Sequence, residues 1–240
     1  MSASALSGSV ALVAGGTGGL GRAVSLALLE EGATVVATYR RSEEIDRLRS
    51  DAARDASRLE GIEVDAADEP AVRMLIGGIR DRHGRLDILV NAVGGYRGGA
   101  KLWDEDSDSL DAMLRLNLRS CYVLSRAAAP LMVEQGRGVI VHVVSRAALD
   151  HGAGQASYAA SKAAALALTD SLAADLKGTG VRANAVLPSI IDTEANRRAM
   201  PKADFAKWPK PEEIARVILF LCTDASRVIH GAAIPVYGHL

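Results

Sequence analysis

Val10-Ala11-Leu12-Val13-Ala14-Gly15-Gly16-Thr17-Gly18-Gly19-Leu20-Gly21 runs five apolar residues into five glycines in seven positions. An amphipathic pattern follows at once, so the stretch reads as strand, tight turn and helix start. Glycines allow that turn and let backbone N–H groups come close to a phosphate at the positive end of the helix. A glycine cluster is a weak signal by itself. Between the first strand and first helix of an alternating chain it points to a dinucleotide pyrophosphate, and a merely flexible turn needs no such density.

The alternation continues to the end of the chain. Apolar, β-branched runs predict strands at 10–14, 34–38, 59–63, 87–91, 138–144, 181–187 and 232–237. Helical patterns lie at 19–31, 43–56, 69–82, 106–118, 120–135, 155–177 and 211–222. Near-continuous apolar strands separated by helices predict an α/β doubly wound parallel sheet of about seven strands, flanked by helices and buried on both faces. No repeat, linker or composition break divides residues 1–240, so one domain is expected. The least regular stretches, 94–104 and 192–211, follow strands, at the edge where such sheets bind ligands.

Cofactor type turns on the end of the second strand. In dinucleotide folds an acid roughly 20 residues past the glycines receives the ribose 2′-hydroxyl, and an arginine there accommodates a 2′-phosphate. This chain has Thr38-Tyr39-Arg40-Arg41 and no acid until Glu43. Two guanidiniums attract a phosphate that a carboxylate would repel. NADP(H) is therefore expected, with NAD(H) as the possible alternative if both arginines are ordinary solvated charges.

Chemistry is suggested by Tyr158-Ala159-Ala160-Ser161-Lys162, with Ser145 thirteen residues upstream. On a helix, positions four apart share a face, so the Tyr158 phenol and the Lys162 ammonium project together. A nearby cation is expected to draw the phenol pKa down from about 10. The bland alternative is a packed Tyr and a solvated Lys, and spacing alone does not separate the two.

Composition narrows the field. Apolar residues make up 49% of the 240 and aromatics only 4%, so the core must be built from Ala, Val, Leu and Ile. The formal net charge is −1, with no basic tract to argue for nucleic acid. Met1 to Ser9 lacks a signal-peptide pattern and no apolar run reaches a membrane span, so a cytoplasmic protein is expected. Cys121 and Cys222 sit apart in apolar runs and read as buried thiols. The five histidines lack metal-ligand spacing, and no metal is expected. His142, three residues before Ser145 in a strand, should face away from it. His151 reads as a solvent-exposed loop residue.

Taken together, these residues resemble the short-chain dehydrogenase/reductase family over essentially the whole chain. The block Gly15-x3-Gly19-x-Gly21 fits the family spacing, with Ala14 where Thr is usual. Asp65 corresponds to the acid that contacts the adenine amino group. Asn91-Ala92-Val93-Gly94 corresponds to the Asn-Asn-Ala-Gly motif, with Ala92 for the second Asn. Pro188-Ser189-Ile190-Ile191-Asp192-Thr193 corresponds to the Pro-Gly nicotinamide-side motif, with Ser189 for Gly. Asn117, Ser145, Tyr158 and Lys162 stand in the order and spacing of the catalytic tetrad. The resemblance implies a single-domain Rossmann fold and a homo-oligomer, most often a tetramer. It implies a cofactor site of Gly15, Thr17, Gly18, Gly19, Leu20, Gly21, Arg40, Arg41, Asp65, Asn91 to Gly94, Tyr158, Lys162, Pro188, Ile191 and Thr193. Tyr158 is then the acid/base, and Lys162 lowers its pKa and holds the nicotinamide ribose. Ser145 polarises the carbonyl. Asn117 holds a proton-relay water, unless it is only a polar helix residue bonded to its own backbone.

The loops Val93–Gly99 and Leu187–Phe205, and Ala147–Asp150, are similar to the quinonoid dihydropteridine reductase subfamily. That subfamily typically lacks the Ser and uses NADH, whereas this chain keeps Ser145 and ends its second strand in arginines. The expected function is hydride transfer between NADP(H) and a small or medium carbonyl or secondary alcohol. Pterin reduction with NAD(P)H is the alternative, and a non-catalytic dinucleotide sensor or scaffold is a third reading that the full tetrad disfavours. Tyr96, Trp103, Phe205 and Trp208 fall in the two irregular loops and are expected to wall a substrate pocket rather than pin the loops.

Overall fold

Val10–Ala14 forms strand β1 with all five residues buried. Successive side chains point to opposite faces, so Ala11 and Val13 join one core while Val10, Leu12 and Ala14 join another. A strand apolar on both faces must be covered on both. In the computed structural model, which describes residues 4–239, the intervening helices supply that cover. The remaining strands are β2 (Thr34–Tyr39), β3 (Leu59–Glu63), β4 (Ile88–Asn91), β5 (Gly138–Val143), β6 (Val181–Pro188) and β7 (Ala233–Val236). They form one sheet in the order β3-β2-β1-β4-β5-β6-β7, every neighbouring pair parallel. This is the expected doubly wound α/β sheet.

The helices are α1 (Gly19–Glu30), α2 (Ser42–Ala52), α3 (Glu69–His83), α4 (Ser109–Met113), α5 (Ser120–Glu134), α6 (Ala156–Asp175), α7 (Glu194–Ala199) and α8 (Pro211–Cys222). Leu28 and Leu29 of α1 pack with Ile214 and Ile218 of α8 on one face of the sheet. Val72 and Ile79 of α3 pack with Leu124 and Met132 of α5 on the other.

Three expectations need correction. The helix expected at 43–56 ends at Ala52, because Ala53 has a left-handed φ of 46° and a 3-10 segment follows. The helix expected at 106–118 starts at Ser109 and widens into a π-helical turn, Leu114–Arg119, that runs on into α5. The stretch 192–211 contains α7, which has no apolar periodicity to betray it. Its start is fixed by the Thr193 hydroxyl, which accepts from the Asn196 amide at 3.2 Å, and Arg198 pairs with Glu194 one turn away.

The strand order reverses between β1 and β4. At such a switch point the loops leaving the carboxyl ends of the two strands diverge to opposite faces and open a crevice. The glycine turn, Arg40, Asn91, Ser145 and Pro188 all lie along that edge.

Candidate active site

Gly15 leaves β1 with φ +70°, a conformation open to glycine. Its N–H donates to the Thr38 hydroxyl at 2.9 Å, tying the turn to β2. Helix α1 then passes so close that a Cβ on Gly21 would lie 1.9 Å from the Gly15 carbonyl oxygen. Gly18, at the head of α1, offers no capping side chain, and the first turn holds no acid. The first amides of α1 therefore point toward solvent at a positive helix end, a cradle that fits an anion. Val93 lies against Gly15, and the Thr193 methyl against Gly19. The Asn91 carboxamide accepts from the Val93 amide at 3.0 Å and donates to the Cys121 sulfur at 3.1 Å. Asn91 thus acts through the backbone, folding the Ala92–Gly94 segment over the glycine turn.

Beyond β2 and β3, Arg40, Asp65, Ala67, Val93, Arg115 and Leu116 are among the residues that line a cleft of about 180 Å³. Asp65 is tied to the Arg115 guanidinium at 2.7 Å and to the Ala67 amide at 2.9 Å, with Arg40 4.0 Å away. The Ala67 amide and the two guanidiniums hold its pKa below the usual carboxylate range, against the burial that would raise it. The expectation that no acid stands beside Arg40 and Arg41 is wrong. Glu44, one position into α2 beyond Glu43, turns back to accept from Arg41 Nε at 2.8 Å and from the Thr17 hydroxyl at 3.0 Å. Burial would raise the Glu44 pKa, but the Arg41 and Thr17 hydrogen bonds outweigh it and keep the carboxylate ionised.

The other end of the cleft is buried. Lys162 is 4% exposed and donates to the Val143 carbonyl at 3.2 Å. Removal from water lowers its pKa to about 8. Tyr158 stands one turn earlier on α6, near Ser145, whose hydroxyl accepts from the Ala147 amide at 3.1 Å. The expected downward pull of Lys162 on Tyr158 is not what the geometry gives. Burial raises the phenol pKa, the nearby Ser145 hydroxyl only partly opposes it, and Lys162 spends its ammonium on Val143. At neutral pH Tyr158 is a protonated phenol.

Asn117 sits in the π-helical turn, where it is 1% exposed. Its carboxamide accepts from the Gly95 amide at 3.0 Å and donates to the Gly95 carbonyl and the Ser161 hydroxyl. It is therefore not bonded to its own backbone. A Cβ on Gly94 would meet both Lys162 Nζ, at 3.0 Å, and Asn117 Oδ1, at 3.1 Å, so both polar groups flank one backbone position. Pro188 ends β6, and Ser189 donates to the Tyr237 carbonyl at 2.7 Å. Ile191 carries the Asn196 side chain on its carbonyl, which shapes the approach to Thr193.

The aromatic residues divide. Tyr96 meets the Tyr158 ring edge-on at 4.9 Å. Trp208 is 5% exposed and packs on Phe205 at 5.0 Å, so it pins its loop instead of walling a pocket. Trp103 is exposed, as is His151. His142 is fully buried between the Ser125 and Thr169 hydroxyls, the satisfied core residue that its strand position suggested. Cys121 and Cys222 are buried free thiols. Among the described residues no cluster of side chains suits a metal ion, and no helix is long and apolar enough to cross a membrane.

Sequence reasoning missed Glu44, Arg115, Ser161 and Glu105. The Glu105 carboxylate accepts from the Ser157 hydroxyl and amide, which ties the loop after β4 to the first turn of α6 beside Tyr158. An acid 23 residues past Gly21 was the available signal for Glu44. Nothing in the spacing marks the other three.

A glycine cradle at a strand-order switch, with a phenol, an ammonium and a hydroxyl at its far end, defines a dinucleotide-dependent enzyme. Comparison with known proteins agrees. The family profile described as short chain dehydrogenase matches residues 9–204. The 3-oxoacyl-(acyl-carrier-protein) reductase of Thermotoga maritima is 32% identical, over 98% of each chain. D-threitol dehydrogenase of Mycolicibacterium smegmatis is 32% identical, over 97% of this chain and 93% of that one. The structure of ElxO with NADP bound superposes with a TM-score of 0.90 at 25% identity, over 96% of this chain and 97% of that one. The chain belongs to the short-chain dehydrogenase/reductase family and is an NAD(P)-dependent oxidoreductase.

Proposed function

We propose that the protein transfers hydride between NADP(H) and a small or medium carbonyl or secondary alcohol, with Tyr158 as the acid/base. The observation that carries this reading is the buried grouping of Ser145 and Lys162 with Tyr158, where Tyr158 lies one helical turn from Lys162 and the Ser145 hydroxyl acts on the phenol. Two hydroxyl donors side by side suit a single carbonyl oxygen, which a quinonoid ring needs less. The bound nicotinamide supplies or accepts the hydride. In reduction, Tyr158 gives its proton to the carbonyl oxygen while Ser145 steadies the charge developing there. Lys162, its ammonium anchored on the Val143 carbonyl, would hold the nicotinamide ribose beside the phenol. Asn117 positions Gly95, and a water between its carboxamide oxygen and Lys162 would return the proton.

The glycine turn from Gly15 to Gly21 takes the pyrophosphate in this reading, and Asp65 the adenine. Arg40 and Arg41 take the 2′-phosphate, and Ala92, Val93, Gly94, Pro188, Ile191 and Thr193 enclose the nicotinamide half. NADP(H) preference rests on the two guanidiniums after β2. Relatives support the coarser chemistry: one is named a 3-oxoacyl-(acyl-carrier-protein) reductase, another a D-threitol dehydrogenase, and a structural neighbour was solved with NADP. A cytoplasmic homotetramer completes the proposal. Exposed Tyr122 and Val133 on α5 are apolar surface that a partner subunit would cover. Light scattering showing a monomer at micromolar concentration would count against that assembly.

The deciding experiment is a panel of ketones, aldehydes and secondary alcohols, with quinonoid dihydropterin included, followed by nicotinamide fluorescence. Turnover of a carbonyl or alcohol is the expected result. Turnover of the pterin alone would replace this reading with ring reduction.

A further inference from the structure

Among the described residues, Glu44 is the acid that bonds to both the glycine turn and the end of β2. Its carboxylate accepts from the Thr17 hydroxyl at 3.0 Å and from Arg41 Nε and Nη2 at 2.8 and 2.5 Å. Thr17 belongs to the turn that faces a pyrophosphate, and Arg40 and Arg41 follow the strand whose end faces the adenosine ribose. The carboxylate thus bridges the two segments between which that ribose lies. It arrives from the first turn of α2, where the helix end favours an anion, and not from the strand itself.

We propose that Glu44 sets cofactor choice, accepting the ribose 2′-hydroxyl of NAD(H) and competing with the 2′-phosphate of NADP(H) for Arg41. This rests on the cleft being a dinucleotide site and refines the preference argued above. Arg41 spends both donors of its fork on Glu44. A 2′-phosphate can use that guanidinium only by displacing the carboxylate or by standing beside it, and like charges within about 4–6 Å oppose each other. Arg40 carries no such burden, since its nearest acid, Asp65, is 4.0 Å away and already held by Arg115. One arginine is therefore free for the phosphate and the other is contested. The protein keeps its NADP(H) preference but retains an acceptor that makes NAD(H) a usable cofactor.

Glu44→Gln removes the charge and preserves the shape and the hydrogen bond from Thr17. Dissociation constants for NADPH, NADH, adenosine 2′,5′-bisphosphate and 5′-AMP should be measured by calorimetry on both proteins. The two adenosine fragments carry no nicotinamide, so the readout is independent of turnover. In the variant, NADPH and the bisphosphate should bind about tenfold tighter, with NADH and 5′-AMP about threefold weaker, the scale of one freed and one weakened charge-assisted hydrogen bond at a half-exposed site. The gain for the bisphosphate should shrink as salt is raised. An unchanged NADPH-to-NADH ratio, or looser NADPH, would overturn the proposal and leave the dinucleotide site standing. If the unmodified protein binds neither dinucleotide, the site reading fails and takes this proposal with it.

Discussion

At the Tyr158 end of the cleft, Asn117, Ser145 and Lys162 are all buried and each has named hydrogen-bond partners. At the Arg40 end the Arg40 and Arg41 side chains are 66% and 74% exposed and meet their acids in open ion pairs. The two ends follow different physics. Burial fixes geometry and moves pKa values strongly, because a charge taken out of water has few ways to relax. Exposed ion pairs contribute about 0–1 kcal/mol, are screened by salt and can exchange partners. One end is thus suited to a fixed reaction geometry, and the other to trading one ligand charge for another.

The largest test of that contrast is Tyr158→Phe. Loss of the proton-transfer oxygen should reduce kcat by about 10³-fold or more, with the NADPH dissociation constant within about twofold of its original value. Near-normal turnover would remove Tyr158 from the chemistry.

Ser145→Ala should cost about 10²–10³ in rate on a carbonyl substrate, the scale of one lost oxyanion donor. A quinonoid ring gains aromaticity on reduction and would lose little. Retained activity on the best substrate would therefore point to the pterin reading.

Lys162 should trade stability for function. Its pKa is held at about 8 against an ordinary 10.5, so between those pH values the unfolded chain binds the extra proton. The burial penalty is fully present below pH 8 and fades as pH rises toward 10.5. Lys162→Met should raise unfolding stability at pH 7 by about 1–3 kcal/mol while damaging catalysis and cofactor binding together. Chemical denaturation at pH 7 and 10 checks it: a gain that does not shrink at high pH would mean that desolvation is not its cause. His142 acts at the other limit. Burial holds it neutral with a pKa of about 4 against 6.5, so its contribution is intact above pH 6.5 and lost as pH falls toward 4. His142→Asn should flatten that part of the stability profile.

Smallest and most salt-sensitive is the effect of Arg40→Ala combined with Arg41→Ala. The pair should support an NADPH preference of about tenfold in kcat/KM, about 1.4 kcal/mol, which is below the full value of two charge-assisted bonds because both guanidiniums are exposed. The double variant should erase most of it. A wild-type preference for NADH would show that neither arginine faces the ribose.

All seven strands were legible to within one or two residues, because a strand buried on both faces advertises itself as an unbroken apolar run. The glycine turn was equally legible, and the placing of Asn117, Ser145, Tyr158 and Lys162 near one another could be anticipated, since backbone geometry fixes their spacing. What escaped was set by side-chain reach. Glu44 comes back along its helix to Thr17, Glu105 crosses to Ser157, and Arg115 spans from the π-helical turn to Asp65. Such contacts join residues 27 to 52 positions apart and leave no period in the sequence. Helix α7 was missed for the related reason that a hydroxyl cap and an ion pair hold it, with no apolar stripe to announce it. Tyr158 was misjudged because its titration depends on how dry its surroundings are, which residue spacing does not convey.

The chain contains two tryptophans, and the fold gives them opposite surroundings. Trp103, in the loop after β4, is 77% exposed, whereas Trp208, in the loop after β6, is 5% exposed. Their emission should separate into a red-shifted component that iodide quenches and a blue-shifted component that it does not. Each loop that borders the cleft thus carries its own built-in optical reporter. Replacing one tryptophan at a time by Phe would let the arrival of nucleotide and of substrate be timed on the two loops independently, without attaching a dye.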